Sequence, residues 1–444
     1  MKKHFLQKLP SLERIYNKEF LVFIIIFFVS KLIPFITPLL ASNFLKRTED
    51  YGRIEYLLNA GSLISSFFLL GLSSAYPYFN ITLKKSVYKP FILHFSLIFF
   101  CSVFFIITIL LFPSANISKL LFIGTIFGAQ LLFSAILKSE QKSSWAVILD
   151  GGILSILLCY ICYLYFTHTD YLSELVFLSL LFLYSIILLS TSLSFLRKKN
   201  KDVDSNVTHE SNDIIDYKKV VLFSFPVFIS SLLIATLTTS NRVLIEYFLD
   251  LKAVAYYSFY FRIVSILVIV YQAIMILLFR KLYAEHISKL DKMFLQLLVS
   301  FIFISALILL LFPFFILPYF KIYQETSHYL FLLLYILSAQ MFFWIVTALL
   351  ENIIYREKVT KTLNFYLLAI ILSIFATCYL FDHLNYLSLI TISTIQCFGV
   401  YVYSEIQMFL IKKKTDVPLR RVKSINRFVF LATTAFIIYN LAIT

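Results

Sequence analysis

The sequence predicts an all-α polytopic membrane protein of twelve transmembrane helices in two six-helix lobes. Three observations carry that expectation. Hydrophobic residues make up 60% of the 444 and charged residues only 14%, with a mean hydropathy of +0.88. That is too little charge to cover the surface of a soluble domain. The apolar residues also fall into runs long enough to cross a ~30 Å hydrocarbon core, which takes about 20 helical residues. Finally, Gly (8) and Pro (10) are scarce while Phe (49) and Tyr (29) are abundant. This suits helices better than the short, turn-rich strands of a barrel.

The chain opens with MKKHFLQKLPSLERIYNKEF. This stretch is basic and polar, and the apolar run behind it is long enough to span, so it reads as a cytoplasmic arm and not as a cleavable signal. The expected spans are 20–42, 55–79, 90–112, 117–139, 145–166, 173–196, 219–238, 254–279, 293–318, 326–350, 362–381 and 386–411. With the N-terminus inside, and charges at a span's edge counted with the adjoining loop, 30 of the 39 Lys and Arg residues fall in cytoplasmic segments and 7 in outer loops. The other two, Lys31 and Arg262, lie within spans. The split follows the positive-inside rule. It also accounts for the net charge of +15 without a nucleic-acid partner, because the charges are dispersed among loops.

The organisation follows from the polar segments. Residues 1–196 form an N-terminal six-helix lobe, and 197–219, RKKNKDVDSNVTHESNDIIDYKK, a cytoplasmic linker. Residues 220–411 form a C-terminal six-helix lobe. A basic tail at 412–427 then leads into FVFLATTAFIIYNLAIT (428–444), which is uncharged and short for a span. It is expected as a thirteenth, membrane-associated helix. An internal echo supports two halves: ASNFLKRTEDYGRIEY and TTSNRVLIEYFLDLKAVAYY both place Ser-Asn at the outer end of a span, then a mixed-charge loop, then Tyr. Two parallel repeats are a common transporter plan. The five cysteines lie in apolar runs and read as small core residues, with Cys159 and Cys162 lacking a second pair or a nearby histidine. No metal site and no cofactor are expected.

Two stretches carry a resemblance to a known family. One is FLKRTEDYGRIEYLLNAGSLISSFFLLGLSSAYPYF (44–79), with Tyr51-Gly52 opening helix 2 and Leu-Gly-Leu at 70–72. The other is YKKVVLFSFPVFISSLL (217–233) followed by SNRVLIEYFLDLKAVAYYSFYFRIVSI (240–266). The chain resembles the Wzx-type O-antigen and polysaccharide repeat-unit flippases of bacteria, relatives of the multidrug and toxin extrusion transporters. It departs from them at Asn241, where Asp is common before the Arg. The resemblance implies a V-shaped bundle of two six-helix lobes in the bacterial cytoplasmic (inner) membrane, with the N-terminus cytoplasmic. The implied substrate is an undecaprenyl-pyrophosphate-linked oligosaccharide, as in O-antigen, lipopolysaccharide or capsule biosynthesis. The implied partners are membrane lipid and the polymerase and chain-length proteins of that pathway.

Charges inside spans are costly and face cavities or one another more than lipid. Lys31 lies in the middle of the first span, where it would suit an anionic headgroup or a structural partner on a neighbouring helix. Arg262, among Tyr and Phe in SFYFRIVSIL, and Arg242, at the preceding turn, are candidate phosphate ligands because guanidinium binds phosphate bidentately. Their simpler readings are a helix-end snorkeller and a loop charge. Asp150, Glu405 and Glu55 are candidates to pair with a cation or to carry a coupling H⁺ or Na⁺. Glu55, at the start of helix 2, also reads as a solvated helix-end charge. His94 is expected near the inner interface, and the glutamines within spans, Gln130 among them, are expected to bond across helices.

No phosphate-binding loop, metal cluster or sizeable extramembrane domain marks an enzyme, and every outer loop is short. The expected function is therefore inner-to-outer-leaflet transport by alternating access. Two alternatives share the fold: a multidrug or toxin efflux transporter, and a flippase for a teichoic-acid or peptidoglycan precursor. A cationic cavity argues against cationic drugs, which it would repel. A non-transport scaffold would need no mid-membrane charges.

Overall fold

A computed structural model describes residues 18–82, 86–169, 173–205, 216–315, 317–326, 330–357 and 359–443. Most of the expected cytoplasmic arm and residues 206–215 of the expected linker lie outside the described residues. Among the described residues the regular structure is helical throughout. The helices are α1 (Lys18–Phe44), α2 (Thr48–Leu69), α3 (Leu72–Pro77), α4 (Tyr88–Leu111), α5 (Asn116–Ser139), α6 (Ser143–Asp150), α7 (Gly152–Phe166), α8 (Glu174–Ser205) and α9 (Tyr217–Thr239). They continue as α10 (Asn241–Phe248), α11 (Leu251–Val264), α12 (Ile266–Ala284), α13 (Ile287–Phe315), α14 (Lys321–Thr326), α15 (Leu330–Arg356), α16 (Thr360–His383), α17 (Leu389–Thr415) and α18 (Arg420–Ile443).

Ten of these helices are long and apolar enough to cross a membrane, and three bent pairs raise the number to thirteen if each pair is one span. The pairs are α2/α3, α6/α7 and α11/α12, bent by 47°, 54° and 40°. Together they correspond to the twelve expected spans plus α18. Three differences from the sequence reading matter. Helix α8 continues to Ser205, into the expected linker. Helix α17 runs to Thr415 and helix α18 starts at Arg420, so most of the expected basic tail is helical. Between spans seven and eight, a mixed-charge loop was expected, but residues 241–248 form the short helix α10.

The first bend has a local cause. Gly71 sits at φ 71° and Leu70 at φ 47°, which breaks the i to i−4 ladder after α2. A Cβ at Gly71 would also collide with the Ser224 carbonyl of α9. The second bend falls at Gly151–Gly152 and the third at Ser265, whose hydroxyl bonds back to the Arg262 carbonyl at 2.6 Å.

The chain divides into two compact units, residues 1–37 with 57–232 and residues 38–56 with 233–444. In the first, Tyr76, Phe91, Phe95, Leu132, Ile136 and Leu189 belong to a core shared by α3, α4, α5 and α8. The Tyr76 and Phe91 rings meet edge-on at 5.0 Å. In the second unit, α15 is the central element: it packs on α11, α12, α13, α17 and α18, and 78% of its apolar window is buried.

Candidate functional site

Among the described residues, the candidate site residues gather mainly in two clusters of charge, one in each unit. In the first unit, Lys31 of α1 faces Asp150, the last residue of α6, with Nζ 4.0 Å from Oδ2. Lys138, in the last turn of α5, reaches the same oxygen at 3.3 Å. The Ser134 hydroxyl, one turn back on α5, donates to Asp150 Oδ1 at 2.6 Å. The fold sets this geometry: α5 and α6 are joined by a tight turn, and the α6/α7 bend leaves Asp150 at a helix end. Gln130 Nε2 donates to the Asp150 carbonyl at 3.0 Å, and Tyr184 of α8 donates to Gln130 Oε1 at 3.0 Å. Gln130 thus bonds across helices, as expected. The Lys31 and Asp150 side chains are 22% and 19% exposed. Two ammonium groups around one carboxylate leave the cluster a net positive charge.

The second cluster is drier. Glu55 of α2 is 1% exposed, so the reading of a solvated helix-end charge is corrected. Its carboxylate is gripped from two sides by Arg262 of α11, whose Nε and Nη2 donate to Oε1 and Oε2 at 3.1 Å each. Arg242 Nε lies 3.3 Å from Oε2, and the Tyr51 hydroxyl donates to Oε1 at 3.4 Å. Arg242 is 2% exposed, so the loop-charge reading is corrected as well. Helix α10 carries it inward, where Nε also donates to the Ser258 hydroxyl at 2.6 Å. Its guanidinium lies 4.6 Å from the Phe261 ring centroid, a cation–π arrangement. Asn241, beside it, donates to the Tyr257 hydroxyl.

A glycine makes this close approach feasible. A Cβ at Gly52 would collide with the Leu251 carbonyl at the start of α11. Without one, α2 lies directly against α11, and Glu55, three residues on, comes level with Arg262.

Glu405 joins neither cluster. It lies on α17 and pairs with the first turns of α18: Arg427 at 3.4 Å, Lys423 at 3.8 Å and Asn426 at 3.3 Å. Asp291 of α13 completes that docking by accepting the backbone N–H groups of Arg421 and Val422 at 3.3 and 3.1 Å, a cap from a neighbouring helix. His94 bridges the Tyr217 hydroxyl at 2.9 Å and the Phe68 carbonyl at 2.7 Å. Because the carbonyl can only accept, Nε2 carries a proton.

Sequence reasoning missed Lys138, Ser134, Ser258 and Tyr51 as members of these clusters. The signal for the last was present: Tyr51 and Glu55 are four apart, on one helix face. Among the described residues no group of three or more His, Cys, Asp or Glu is placed to hold a metal ion.

A family model described as polysaccharide biosynthesis protein matches residues 17–279, more than half of the chain. The chain belongs to the polysaccharide biosynthesis protein family. This is the family of Wzx-like flippases to which the 44–79 and 217–266 stretches pointed. A comparison with curated proteins finds no match. Among solved structures, the chain is similar to a crystal structure of MATE in complex with MaL6, with a TM-score of 0.52 at 13% identity. The likeness covers 91% of this chain and 95% of that one. At that identity it speaks for the fold alone, and it agrees with the helical two-lobe architecture. The family is that of a multi-pass membrane transporter of polysaccharide precursors.

Proposed function

We propose that this family member is a flippase for an oligosaccharide carried on undecaprenyl pyrophosphate, such as an O-antigen or capsule repeat unit. It takes the substrate from the inner to the outer leaflet of the bacterial cytoplasmic membrane by alternating access, with its N-terminus in the cytoplasm. The observation that carries the reading is the Lys31 cluster, a net cationic site within the spans of a polysaccharide-family transporter. A pyrophosphate is the anionic part of such a substrate. Lys31 lies 4.0 Å from Asp150, beyond hydrogen-bond range, so it can turn to a phosphate without breaking a hydrogen bond. Lys138 and Ser134 keep the Asp150 carboxylate compensated meanwhile.

Arg242 and Arg262 take a different part. Both are committed to Glu55, and they accept an anion only once Glu55 is protonated. Glu55 is therefore the coupling-proton candidate of the second unit and Asp150 that of the first. Glu405, held by three side chains of α18, is assigned a docking role instead. Moving negative charge outward also runs with an inside-negative potential, by ~2.3 kcal/mol per charge per 100 mV.

The test is surface polysaccharide in a strain lacking the gene, complemented with wild type, Lys31→Arg or Lys31→Ala. The expected result is loss of polymer on deletion and rescue by wild type and Lys31→Arg. Lys31→Ala at equal membrane abundance gives no rescue. Normal polymer with Lys31→Ala overturns the headgroup role, and unchanged polymer on deletion overturns the flippase reading.

A further inference from the structure

Where α18 packs against α13 and α15, two adjoining hollows run along one seam. The first, about 430 Å³, is lined by Leu295 of α13 and by Arg420, Arg421, Ser424 and Phe428 of α18. The second, about 190 Å³, is lined by Ile302, Ala306 and Leu309 of α13, Phe342 of α15, and Phe428 and Ala432 of α18. Phe428 lines both. On α13 the lining residues 295, 302, 306 and 309 recur every three, four or seven positions, which is one face of a helix. The seam thus has a cationic mouth at one end and an apolar groove at the other.

The charge at the mouth is not consumed by the protein. Arg420 and Arg421 are exposed. Asp291 nearby is occupied with backbone N–H groups of Arg421 and Val422, and Glu405 is held by Lys423 and Arg427. The α18 N-terminus is already capped, so anion attraction there rests on the two guanidiniums, which bind phosphate bidentately.

We propose that this seam is a binding site for an anionic phospholipid of the surrounding bilayer, phosphate at Arg420 and Arg421 and one acyl chain along α13 to Leu309. The length fits one leaflet with its headgroup layer: from Leu295 to Leu309 the groove runs about 21 Å at 1.5 Å per residue, against ~20–22 Å for half of a bilayer ~40–45 Å thick including its headgroup regions. A chain of eleven isoprene units is too long for it, which favours the diacyl lipid over the polyprenyl carrier. The lining shares no residue with either charge cluster, and the inference does not depend on the substrate assigned above.

Native mass spectrometry of the purified full-length protein tests this, after delipidation and titration with dioleoyl phosphatidylglycerol, dioleoyl phosphatidylcholine or undecaprenyl phosphate. Wild type is expected to retain one phosphatidylglycerol in clear preference to phosphatidylcholine. Arg420→Gln/Arg421→Gln is expected to weaken that retention roughly thirtyfold, from two cations at ~1 kcal/mol each. Ala306→Phe, a change at an exposed position that fills the groove, is expected to weaken phosphatidylglycerol binding with the mouth intact. Equal retention of phosphatidylcholine means a nonspecific apolar surface and overturns the proposal. Unchanged binding in both variants overturns it, as does preferential binding of undecaprenyl phosphate.

Discussion

Glu55→Gln is the substitution with the largest expected effect on stability. The Glu55 carboxylate lies 3.1 Å from Arg262 and 3.3 Å from Arg242. At an effective dielectric of about 20, each contact amounts to about 5 kcal/mol of attraction before solvation. Burial removes several kcal/mol of hydration from each ion, so the net worth of the cluster is far smaller than that attraction. Breaking it is another matter. Glutamine keeps the shape and one acceptor, but it leaves two guanidiniums buried side by side without their carboxylate. Removing one partner of a buried pair costs about 3–5 kcal/mol, and that is the expected loss. The assay is equilibrium unfolding of the purified protein in mixed micelles of increasing SDS fraction. Glu55→Gln/Arg262→Gln is measured alongside, since the double variant removes one of the stranded cations. It is expected to be more stable than the sum of the single losses by about 1–3 kcal/mol. A Glu55→Gln protein within about 1 kcal/mol of wild type, or strictly additive losses, would refute the reasoning.

Gly52→Val should separate α2 from α11, where even a Cβ collides with the Leu251 carbonyl. An overpacking loss of about 1–3 kcal/mol or more is expected in the same unfolding assay. Gly71→Ala combines a left-handed φ of 71° with a collision at Ser224. It should lose at least about 1–2 kcal/mol, with a lowered melting temperature as the readout. Glu140, at the turn after α5, is pushed up by burial, but Lys199 at 2.7 Å, Tyr76 and Asn80 outweigh this and hold its carboxyl below its ordinary value. Its contribution is therefore fully present above the ordinary carboxylate pKa of about 4.3 and is lost as pH falls through the lower folded value. With Lys199 36% exposed, screening limits it to about 1 kcal/mol or less. Stability measured from pH 6 to pH 3 should fall more steeply in wild type than in Glu140→Gln.

The spans were legible because the energy that makes them is collective: a run of about 20 apolar residues announces itself whatever its neighbours do. The bends were less so. Leu70-Gly71 and Gly151-Gly152 are visible as glycine signals inside spans two and five, but a bend at Ser265 leaves no mark in hydropathy. The charge clusters were half legible. Lys31, Asp150 and Arg262 stood out as charges among apolar residues, and for Lys31 and Asp150 an internal partner of opposite charge was among the readings. Their actual partners were hidden by distance along the chain, with Glu55 and Arg262 207 residues apart. For Glu55 and Arg242 the simpler readings of a solvated helix-end charge and a loop charge stood beside the functional ones because both residues sit next to short polar stretches. Helix α10 and the contact at Gly52 bury them, and both are products of packing, not of local pattern. Glu405 was read as a cation partner or a coupling-ion site, and it pairs with Arg427 and Lys423; those partners were hidden because they lie on α18, which starts inside a segment that read as a basic tail.

The separation between Glu55 and its arginines is also a separation in time. At ≈5–20 residues per second of synthesis, the 207 residues between Glu55 and Arg262 take roughly 10–40 s to emerge. Through that interval the start of α2 has been made while α10 and α11 have not. Its carboxylate then has water or a proton as company instead of guanidinium. The second unit takes residues 38–56 from the early chain and 233–444 from the late chain, so it closes only when the eighth span arrives. An early segment waiting at the membrane for a late one is the stage of biogenesis at which this protein most needs shelter from insertases and chaperones.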